Sequence, residues 1–268
     1  MNHLIDHFGL SQHPFSKHTP IDAIYHHQGF MEAEKRMLFA TELYSIAMLL
    51  AESGCGKSLL LNQLSDQLKT QGWSITYLSH STLSAFSLIN VLARKLGLTP
   101  RRSRGETAMS VVDSFIQSDR KHMLIIDEAQ GLYDATMEDI RLLTIGPFDQ
   151  KSPFMLILSG QLSLDDRLQE PTHNALDQRI STVARLMPLS LEETKQYTIK
   201  RLEASGANKN PVFEEGAFSA LYETSSGLPR RINSIGAGAM LVAASKGRRL
   251  VSAQDIYDAQ FDRGRPQV

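Results

Sequence analysis

The first two-thirds of the chain alternates short apolar runs with longer segments in which leucines recur at helical spacing. Short apolar runs are typical of buried strands, and apolar residues three or four apart are typical of amphipathic helices. The strands predicted in this way are Ser45–Leu50, Trp73–Ser79, His122–Asp127 and Phe154–Ser159. The helices predicted between them are Ser58–Thr70, Leu83–Leu96, Thr107–Gln117 and Thr136–Leu143. Because strands that alternate with helices form parallel sheets covered on both faces, the pattern predicts an α/β fold.

From about Ser190 the pattern changes to helices only. Ser190 is followed three residues later by Glu193, which is the pattern of a capping box at the start of a helix. The helices predicted here are Leu191–Glu203, Glu214–Glu223, Arg230–Lys246 and Ser252–Phe261. We therefore expect an α/β domain over residues 1–188, with an N-terminal extension over residues 1–40, and a small all-helical domain over residues 189–268.

Composition excludes several classes of protein. Of the 268 residues, 42% are hydrophobic, which is enough for a large core and excludes a mainly disordered chain. A single cysteine excludes an intramolecular disulfide and a Cys-rich zinc module. No apolar stretch approaches the roughly 18 to 20 residues of a membrane helix, and the N-terminus lacks the features of a signal peptide, so we expect a cytoplasmic protein. The net charge of −1 argues against an overall basic nucleic-acid binder, although it leaves room for a local basic patch.

The segment Ala51–Ser58, AESGCGKS, has the pattern of a phosphate-binding loop between a strand and a helix. In such a loop the backbone N–H groups and the helix N-terminus face the anion, Lys57 places a positive charge on the β- and γ-phosphates, and Ser58 offers a hydroxyl to Mg²⁺. The usual pattern begins with glycine where this chain has Ala51. The alternative is a tight turn without a ligand. The sequence predicts that ATP is bound by Glu52, Ser53, Gly54, Cys55, Gly56, Lys57, Ser58 and Leu59.

About seventy residues later, the apolar run that begins at His122 ends in Asp127-Glu128. The C-terminal end of a buried parallel strand delivers its side chains to the ligand-binding edge of the sheet. We expect Asp127 to hold Mg²⁺, directly or through water, and Glu128 to polarise the water that attacks the γ-phosphate. A solvated acidic pair at a strand end is the alternative.

With these motifs in place, the chain resembles an AAA+ ATPase of the ExeA/GspA-like group. The resemblance covers nearly the whole chain and implies a P-loop fold with a helical lid, ATP as substrate, Mg²⁺ as cofactor and assembly into a homo-oligomer. The segments that carry it, besides the phosphate loop, are Phe8-Gly9-Leu10 with Pro14-Phe15, Ile126-Asp127-Glu128-Ala129-Gln130, and Gly227-Leu228-Pro229-Arg230-Arg231-Ile232-Asn233.

The resemblance also implies roles for residues outside the two motifs. Ser159 lies where a polar sensor reads the γ-phosphate, and Gln161 is the second choice. Arg230 matches the sensor arginine of the lid, unless it is an ordinary surface arginine at a helix start. Arg179 is the best candidate for an arginine finger given to a neighbouring subunit, with Arg185 behind it. An ion pair within its own subunit is the alternative for Arg179.

Two further segments carry less specific expectations. The stretch from Tyr25 to Phe30 is a candidate lining of the adenine pocket, whereas Phe8 and Phe15 are expected to pack in the core. Cys55 lies inside the phosphate loop, where we expect it to be a spacer whose modification would block nucleotide binding.

The biological role is open between three interpretations. Secretion-type relatives carry a membrane helix and a peptidoglycan-binding module after the ATPase, whereas this sequence ends just after the helical lid. It is similar in this respect to stand-alone transposition regulators of the TnsC/TniB/MuB/IstB kind, which implies assembly on double-stranded DNA and a transposase partner. A secretion or envelope-assembly ATPase is the alternative, and a non-hydrolysing switch or another role in DNA metabolism is the third.

A basic cluster favours the DNA interpretation. Arg101, Arg102 and Arg104 lie in a loop before a helix that Thr107 helps to open. In an oligomer such a cluster would contact phosphates of a duplex without reading its sequence. Neutral phosphate contacts are expected from Ser81, Thr82 and Ser84. A solvated basic loop is the alternative.

Overall fold

The chain forms two compact units, here described from a computed structural model that covers residues 3–16, 24–79, 84–146, 152–207 and 211–261. One unit is Gln28–Leu186, and the other combines Met1–His27 with Met187–Val268. In chain order the strands are β1 Ile46–Ala51, β2 Ser74–Leu78, β3 His122–Ile126, β4 Met155–Gly160 and β5 Ile180–Leu186. The helices are α1 His3–Phe8, α2 Gln28–Leu43, α3 Lys57–Thr70, α4 Ala85–Lys95, α5 Arg104–Ile116, α6 Asp134–Leu143, α7 Ser163–Leu168, α8 Asn174–Asp177, α9 Leu191–Glu203, α10 Glu215–Ser225, α11 Pro229–Ser245 and α12 Ala253–Phe261.

The first unit is built on a parallel sheet with the strand order β2-β3-β4-β1-β5, which confirms the predicted α/β fold. Every residue of β1, β3 and β4 is buried, as the continuous apolar runs of these strands require. Side chains from one face of these strands form a core with the buried faces of α4, α5 and α6. The carboxyl ends of β1, β3 and β4 lie next to one another, so the residues that follow them meet at one edge of the sheet.

Four strands and helices of this unit have no counterpart in the sequence prediction, namely α2, α7, α8 and β5, and the two longest of them are β5 and α2. Strand β5 lies at one edge of the sheet beside β1, and buried residues alternate with more exposed ones along its second half. Helix α2 has 16 residues and buries Phe30, Ala33, Met37, Ala40 and Thr41, whereas the sequence analysis treated this stretch as part of an extension. Both elements have mixed polar and apolar faces, which makes their patterns weaker than those of the central strands.

In the helical unit α9 to α12 pack around a core of their own, and α9 begins with the predicted capping box. The Ser190 hydroxyl accepts from the Glu193 N–H, and the Glu193 carboxylate accepts from the Ser190 N–H. Among the described residues, no helix is both long and apolar enough to cross a bilayer.

The N-terminal segment packs with this helical unit, whereas the predicted boundaries placed residues 1–188 in a single α/β domain. Phe15 is buried and lies so close to Gly236 that a Cβ there would sit 2.8 Å from the ring. Arg201 is 2% exposed, and its guanidinium donates to the carbonyl oxygens of Pro14 at 2.7 Å and Ser16 at 2.8 Å. Phe15 is therefore a core residue, as expected, but of the helical unit. Half-buried Phe8 packs against the same core.

Candidate functional site

The phosphate loop connects the end of β1 at Ala51 to the start of α3 at Lys57. Gly54 and Gly56 have φ angles of 95° and 109°, a region that glycine enters at far lower cost than other residues. Open space surrounds the Cβ position of Gly56, so glycine is required there by the backbone conformation rather than by crowding. A loop of this shape, followed at once by a helix N-terminus, fits an anion that is bound by backbone N–H groups.

Lys57 is held inside the loop. Its ammonium group is buried and donates to the Ala51 carbonyl at 2.7 Å and to the Glu52 carbonyl at 3.4 Å. The adjacent Ser58 is exposed at the second position of α3. The charge of Lys57 and the hydroxyl of Ser58 thus both belong to the helix start that the sequence predicted as the phosphate site.

Cys55 lies between the two glycines and is 3% exposed. Burial, assisted by the nearby Glu52 carboxylate, raises the pKa of its thiol to about 11. Because the thiolate is the reactive form, a buried thiol with a raised pKa reacts slowly with modifying reagents. The structure therefore agrees with a spacer role for Cys55, and the expectation that its modification would block nucleotide binding stays a prediction.

Asp127 follows β3 and receives three hydrogen bonds. The Ser159 hydroxyl donates to its Oδ1 at 2.7 Å, the Glu128 N–H donates to the same oxygen at 3.0 Å, and the Tyr77 hydroxyl donates to its Oδ2 at 2.6 Å. The carboxylate is 6% exposed. Charge-assisted hydrogen bonds of this kind fix the orientation of a carboxylate. Its oxygens are the ligand type that Mg²⁺ prefers, so the site fits the predicted metal.

Tyr77 is the residue of this cluster that the sequence analysis missed. It belongs to β2, lies opposite Ile125 in the sheet and is 40% exposed. Burial and the hydrogen bond to Asp127 raise the pKa of its phenol, which therefore remains a donor. No sequence motif connects Tyr77 with Asp127, because the two residues meet only through the pairing of β2 with β3.

Glu128 has the left-handed conformation, with φ 54° and ψ 37°, which is uncommon for a residue other than glycine. Its Oε2 accepts a hydrogen bond of 2.6 Å from Gln130 Nε2. Gln130 Oε1 in turn accepts from the backbone N–H of Gln161 at 3.1 Å. An uncommon backbone conformation held by its surroundings is typical of functional sites.

Arg167 supports this segment from α7. Its guanidinium donates to the carbonyl oxygens of Gln130 and Leu132 and to the Asp134 carboxylate. The ring of buried His173 also lies 3.1 Å from Asp134. The chain that follows Glu128 is thus fixed by side chains from two later elements.

Ser159 lies at the fifth position of β4, opposite Leu49 of β1, and is fully buried. Its hydroxyl donates to Asp127, so the structure places it as a support for that carboxylate. Gln161, the second choice for the γ-phosphate sensor, has an exposed side chain just beyond the end of β4. The sensor role stays a prediction for both residues.

The three candidate arginines lie in different places. Arg179 is half-buried just before β5, and its backbone N–H donates to the Leu176 carbonyl. Arg185 lies on β5 and forms an ion pair of 2.6 Å with Asp165. Arg230 lies in the first turn of α11, within the helical unit. Their roles as finger and sensor stay predictions.

The basic cluster of Arg101, Arg102 and Arg104 lies at the N-terminus of α5, where Ser103 is the N-cap. Arg101 and Arg102 are exposed, and Arg101 lines a shallow cavity of about 380 Å³ on this helix. Arg104 forms an ion pair with Asp139, a residue of α6 that is 4% exposed.

Thr107 is placed differently from its predicted role as a DNA contact. It is 1% exposed, and its hydroxyl accepts from the Arg101 N–H at 2.9 Å and donates to the Ser103 carbonyl at 3.0 Å. Thr107 therefore stabilises the loop from inside. Of the neutral contacts, Ser84 caps α4, and Ser81 and Thr82 lie outside the described residues.

The stretch from Tyr25 to Phe30 is divided between the two units. Tyr25 stacks on His27, with 6.2 Å between ring centroids, and His27 lies 3.6 Å from the Glu193 carboxylate. Burial lowers the pKa of His27. Phe30 is buried in α2 of the other unit. The adenine-pocket assignment stays a prediction.

Comparison with known proteins agrees with this geometry. Residues 41–168 match the family described as AAA domain. The chain is 28% identical, over 261 residues and 95% of its length, to general secretion pathway protein A of Aeromonas hydrophila, and it spans 47% of that relative. Residues 41–168 are therefore similar to an AAA domain, and the similarity to the secretion protein extends beyond these residues.

Solved structures show the same fold at low sequence identity. Cdc6p from Pyrobaculum aerophilum superimposes with a TM-score of 0.73 at 16% identity, covering 93% of this chain and 70% of that one. The ORC1 protein of Aeropyrum pernix, solved in complex with DNA, gives a TM-score of 0.66 at 14% identity, covering 93% and 68%. The chain has the P-loop AAA+ fold, with a parallel sheet between helices and a helical C-terminal portion.

Proposed function

We propose that this protein binds ATP together with Mg²⁺ and hydrolyses it at the edge of the sheet formed by the ends of β1, β3 and β4. One observation supports this most strongly. Ser159 of β4 lies opposite Leu49 of β1 and donates to Asp127 after β3, so the carboxylate is held by the strand that pairs with β1, and β1 leads into the phosphate loop. A phosphate cradle after β1 and a fixed carboxylate after β3, on either side of β4, are the parts that phosphoryl transfer to water requires.

Each residue has a defined task in this proposal. The backbone of Gly54 to Gly56 and the ammonium of Lys57 bind the phosphates, so Lys57 exchanges its bonds to the loop carbonyls for bonds to phosphate oxygens. Ser58 and Asp127 hold Mg²⁺, which when bound neutralises charge on the β- and γ-phosphates. Glu128 accepts a hydrogen bond from the attacking water and orients it, as a positioned general base does.

For the wider role, we propose that the chain is an ATPase module of the kind found in general secretion pathway protein A. The similarity to that protein extends over 95% of the chain at 28% identity, which is higher than the 16% and 14% identity to the two solved structures. This choice reverses the order of preference that the sequence suggested. A transposase partner and a role in transposition rest on the sequence resemblance alone.

A DNA-associated role is the second candidate function. Assembly into a homo-oligomer is part of both candidate functions. Arg101 and Arg102 are exposed side by side next to the start of α5, where two cations can contact phosphates. The AAA+ fold is shared with a protein solved in complex with DNA. Because Arg104 is paired with Asp139, the candidate DNA surface has two available arginines rather than the predicted three.

Two measurements test these proposals. Binding of a fluorescent ATP analogue should be lost in Lys57→Ala and retained in Lys69→Ala, which removes an exposed lysine at the other end of α3. Equal binding by wild type and Lys57→Ala would refute the nucleotide site. The ATPase rate is then measured with and without duplex DNA. Stimulation by duplexes of any sequence would favour the second candidate, whereas an ATPase indifferent to DNA supports the secretion-type role.

A further inference from the structure

Strand β2 holds Asp127 at two points. The Leu78 carbonyl accepts the Asp127 backbone N–H at 2.8 Å, and the neighbouring Tyr77 hydroxyl donates to Asp127 Oδ2 at 2.6 Å. Leu78 thus fixes the main chain of Asp127, and the preceding residue of β2, Tyr77, fixes its side chain. β2 is the edge strand of the sheet and pairs with β3, so this contact lies at the margin of the candidate site.

The three hydrogen bonds to the carboxylate are distributed unevenly. An ionised carboxylate has about four acceptor positions, two on each oxygen. Oδ1 accepts from both Ser159 and the Glu128 N–H, whereas Oδ2 accepts from Tyr77 alone. Among the described residues this leaves one acceptor position, on Oδ2. Of the two side chains that donate to this carboxylate, Ser159 is fully buried and Tyr77 is 40% exposed.

We propose that Tyr77 is a positioning residue for Mg²⁺ binding, which fixes the Asp127 carboxylate so that one acceptor position on Oδ2 would remain for the metal or for a water bound to it. This inference rests on the proposed function. Partners that hydrogen-bond a metal-binding carboxylate orient it, and their loss typically weakens metal affinity by about 10- to 100-fold. The phenol acts through Asp127 and does not itself bind the metal.

The test is a Mg²⁺ titration of the binding of a fluorescent ATP analogue to wild type and to Tyr77→Phe, repeated in excess chelator. Tyr257→Phe is the matched control, because it also removes a phenol-to-carboxylate hydrogen bond, of 2.9 Å to Glu223, but in the helical unit. We expect the half-saturating Mg²⁺ concentration to rise about tenfold in Tyr77→Phe and to stay at the wild-type value in the control. Binding without Mg²⁺ should be equal in all three proteins, which shows that the phosphate loop is folded.

A double variant tests whether Tyr77 acts through Asp127. In an Asp127→Ala background, Tyr77→Phe should cause no additional change in the Mg²⁺ requirement. An unchanged or lower Mg²⁺ requirement in the single variant would overturn the positioning role while leaving the proposed function standing. A wild type that binds no nucleotide, or binds it without regard to Mg²⁺, would overturn the proposed function and the positioning role with it.

Discussion

The side-chain amide nitrogen of Gln130 donates a hydrogen bond of 2.6 Å to the carboxylate of the candidate base Glu128. The oxygen of the same side-chain amide accepts a hydrogen bond from the backbone N–H of Gln161, which follows β4. One side chain therefore connects the ends of β3 and β4. It also holds a residue whose backbone has a positive φ of 54°. In the proposed function, this connection fixes the orientation of the Glu128 carboxylate toward the attacking water.

Replacing Gln130 with alanine should slow ATP hydrolysis without weakening ATP binding. The free carboxylate would sample several orientations, and a displacement of about 1 Å can cost up to about a hundredfold in rate. We expect kcat to fall at least about tenfold and KM to change little. Gln196→Ala is the control, because it removes a comparable Gln-to-Glu hydrogen bond of 2.9 Å on the surface of α9. Equal kcat values for the wild type and Gln130→Ala would show that Gln130 does not position the base.

The basic cluster should separate into a DNA-contacting part and a structural part. If Arg101 and Arg102 contact phosphates, changing both to glutamate should weaken binding to any duplex. It should also lower the slope of log affinity against log salt by about two. The measurement is anisotropy of a fluorescent duplex at several salt concentrations with ATP present. Superimposable curves for wild type and variant would remove this loop from any DNA surface.

Arg104 provides the contrast within the same cluster. Its partner Asp139 is buried, and one carboxylate oxygen of Asp139 finds no other partner in the described parts of the chain. Burial also raises the pKa of Asp139. Arg104→Ala should therefore lower the free energy of unfolding by about 1 to 3 kcal/mol, because it leaves a buried acid unpaired. The paired change Arg104→Met with Asp139→Asn should recover part of this loss in urea unfolding, and no recovery would contradict the assignment.

His122 should make the α/β unit less stable in mild acid. Its ring is buried against Phe115, with 5.0 Å between centroids, and neither ring nitrogen has a partner within the described residues. Burial and the nearby Arg120 lower its pKa below the usual value of 6.5. The unfolded chain therefore binds a proton more readily than the folded one, so stability falls as the pH drops through about 6.5.

Substituting leucine for His122 removes this proton-binding group. We expect the urea midpoint to fall less between about pH 7.5 and about pH 5.5 in His122→Leu than in the wild type. Burial also lowers the pKa values of His13 and His27, but both residues are present in the two proteins and cancel in the comparison. A variant with the same pH dependence as the wild type would show that His122 contributes nothing.

Arg179 should act across a subunit interface if it is the arginine finger. A finger stabilises the charge that develops in the neighbour's transition state. Mixing Arg179→Ala with Glu128→Gln should then restore part of the ATPase activity, because some interfaces combine an intact base with an intact finger. Activity that never exceeds the sum of the separate variants would assign Arg179 to a role within its own subunit.

The sequence predicted those parts of the fold that local patterns encode. The central strands were found because every residue of β1, β3 and β4 is buried, and each contains at least four consecutive apolar residues. The edge strand β5, which reads ISTVARL, was missed because polar residues interrupt it where one face meets solvent. The position of Phe15 in the helical core was also beyond local reasoning, since it depends on contacts more than 200 residues away in the chain.

The candidate site divides in the same way. The phosphate loop, Asp127 and Glu128 were identified because fixed spacing along the chain indicates their chemistry. The partners of these residues were not, because Tyr77 reaches Asp127 through strand pairing and Arg104 reaches Asp139 through the packing of α5 near α6. A cluster of three arginines looks uniform in sequence, and only the tertiary structure shows that one of them is committed to an ion pair.

The central claim is that this edge of the sheet hydrolyses ATP with Glu128 as the base, and a single comparison tests it most directly. Wild type and Glu128→Gln are assayed in parallel for binding of a fluorescent ATP analogue and for steady-state release of phosphate. Glutamine keeps the shape of the side chain but cannot accept a proton, so phosphate release should fall by a factor of about 10² or more while binding is retained. Undiminished phosphate release by Glu128→Gln, with equal nucleotide binding, would contradict the account and place the base elsewhere.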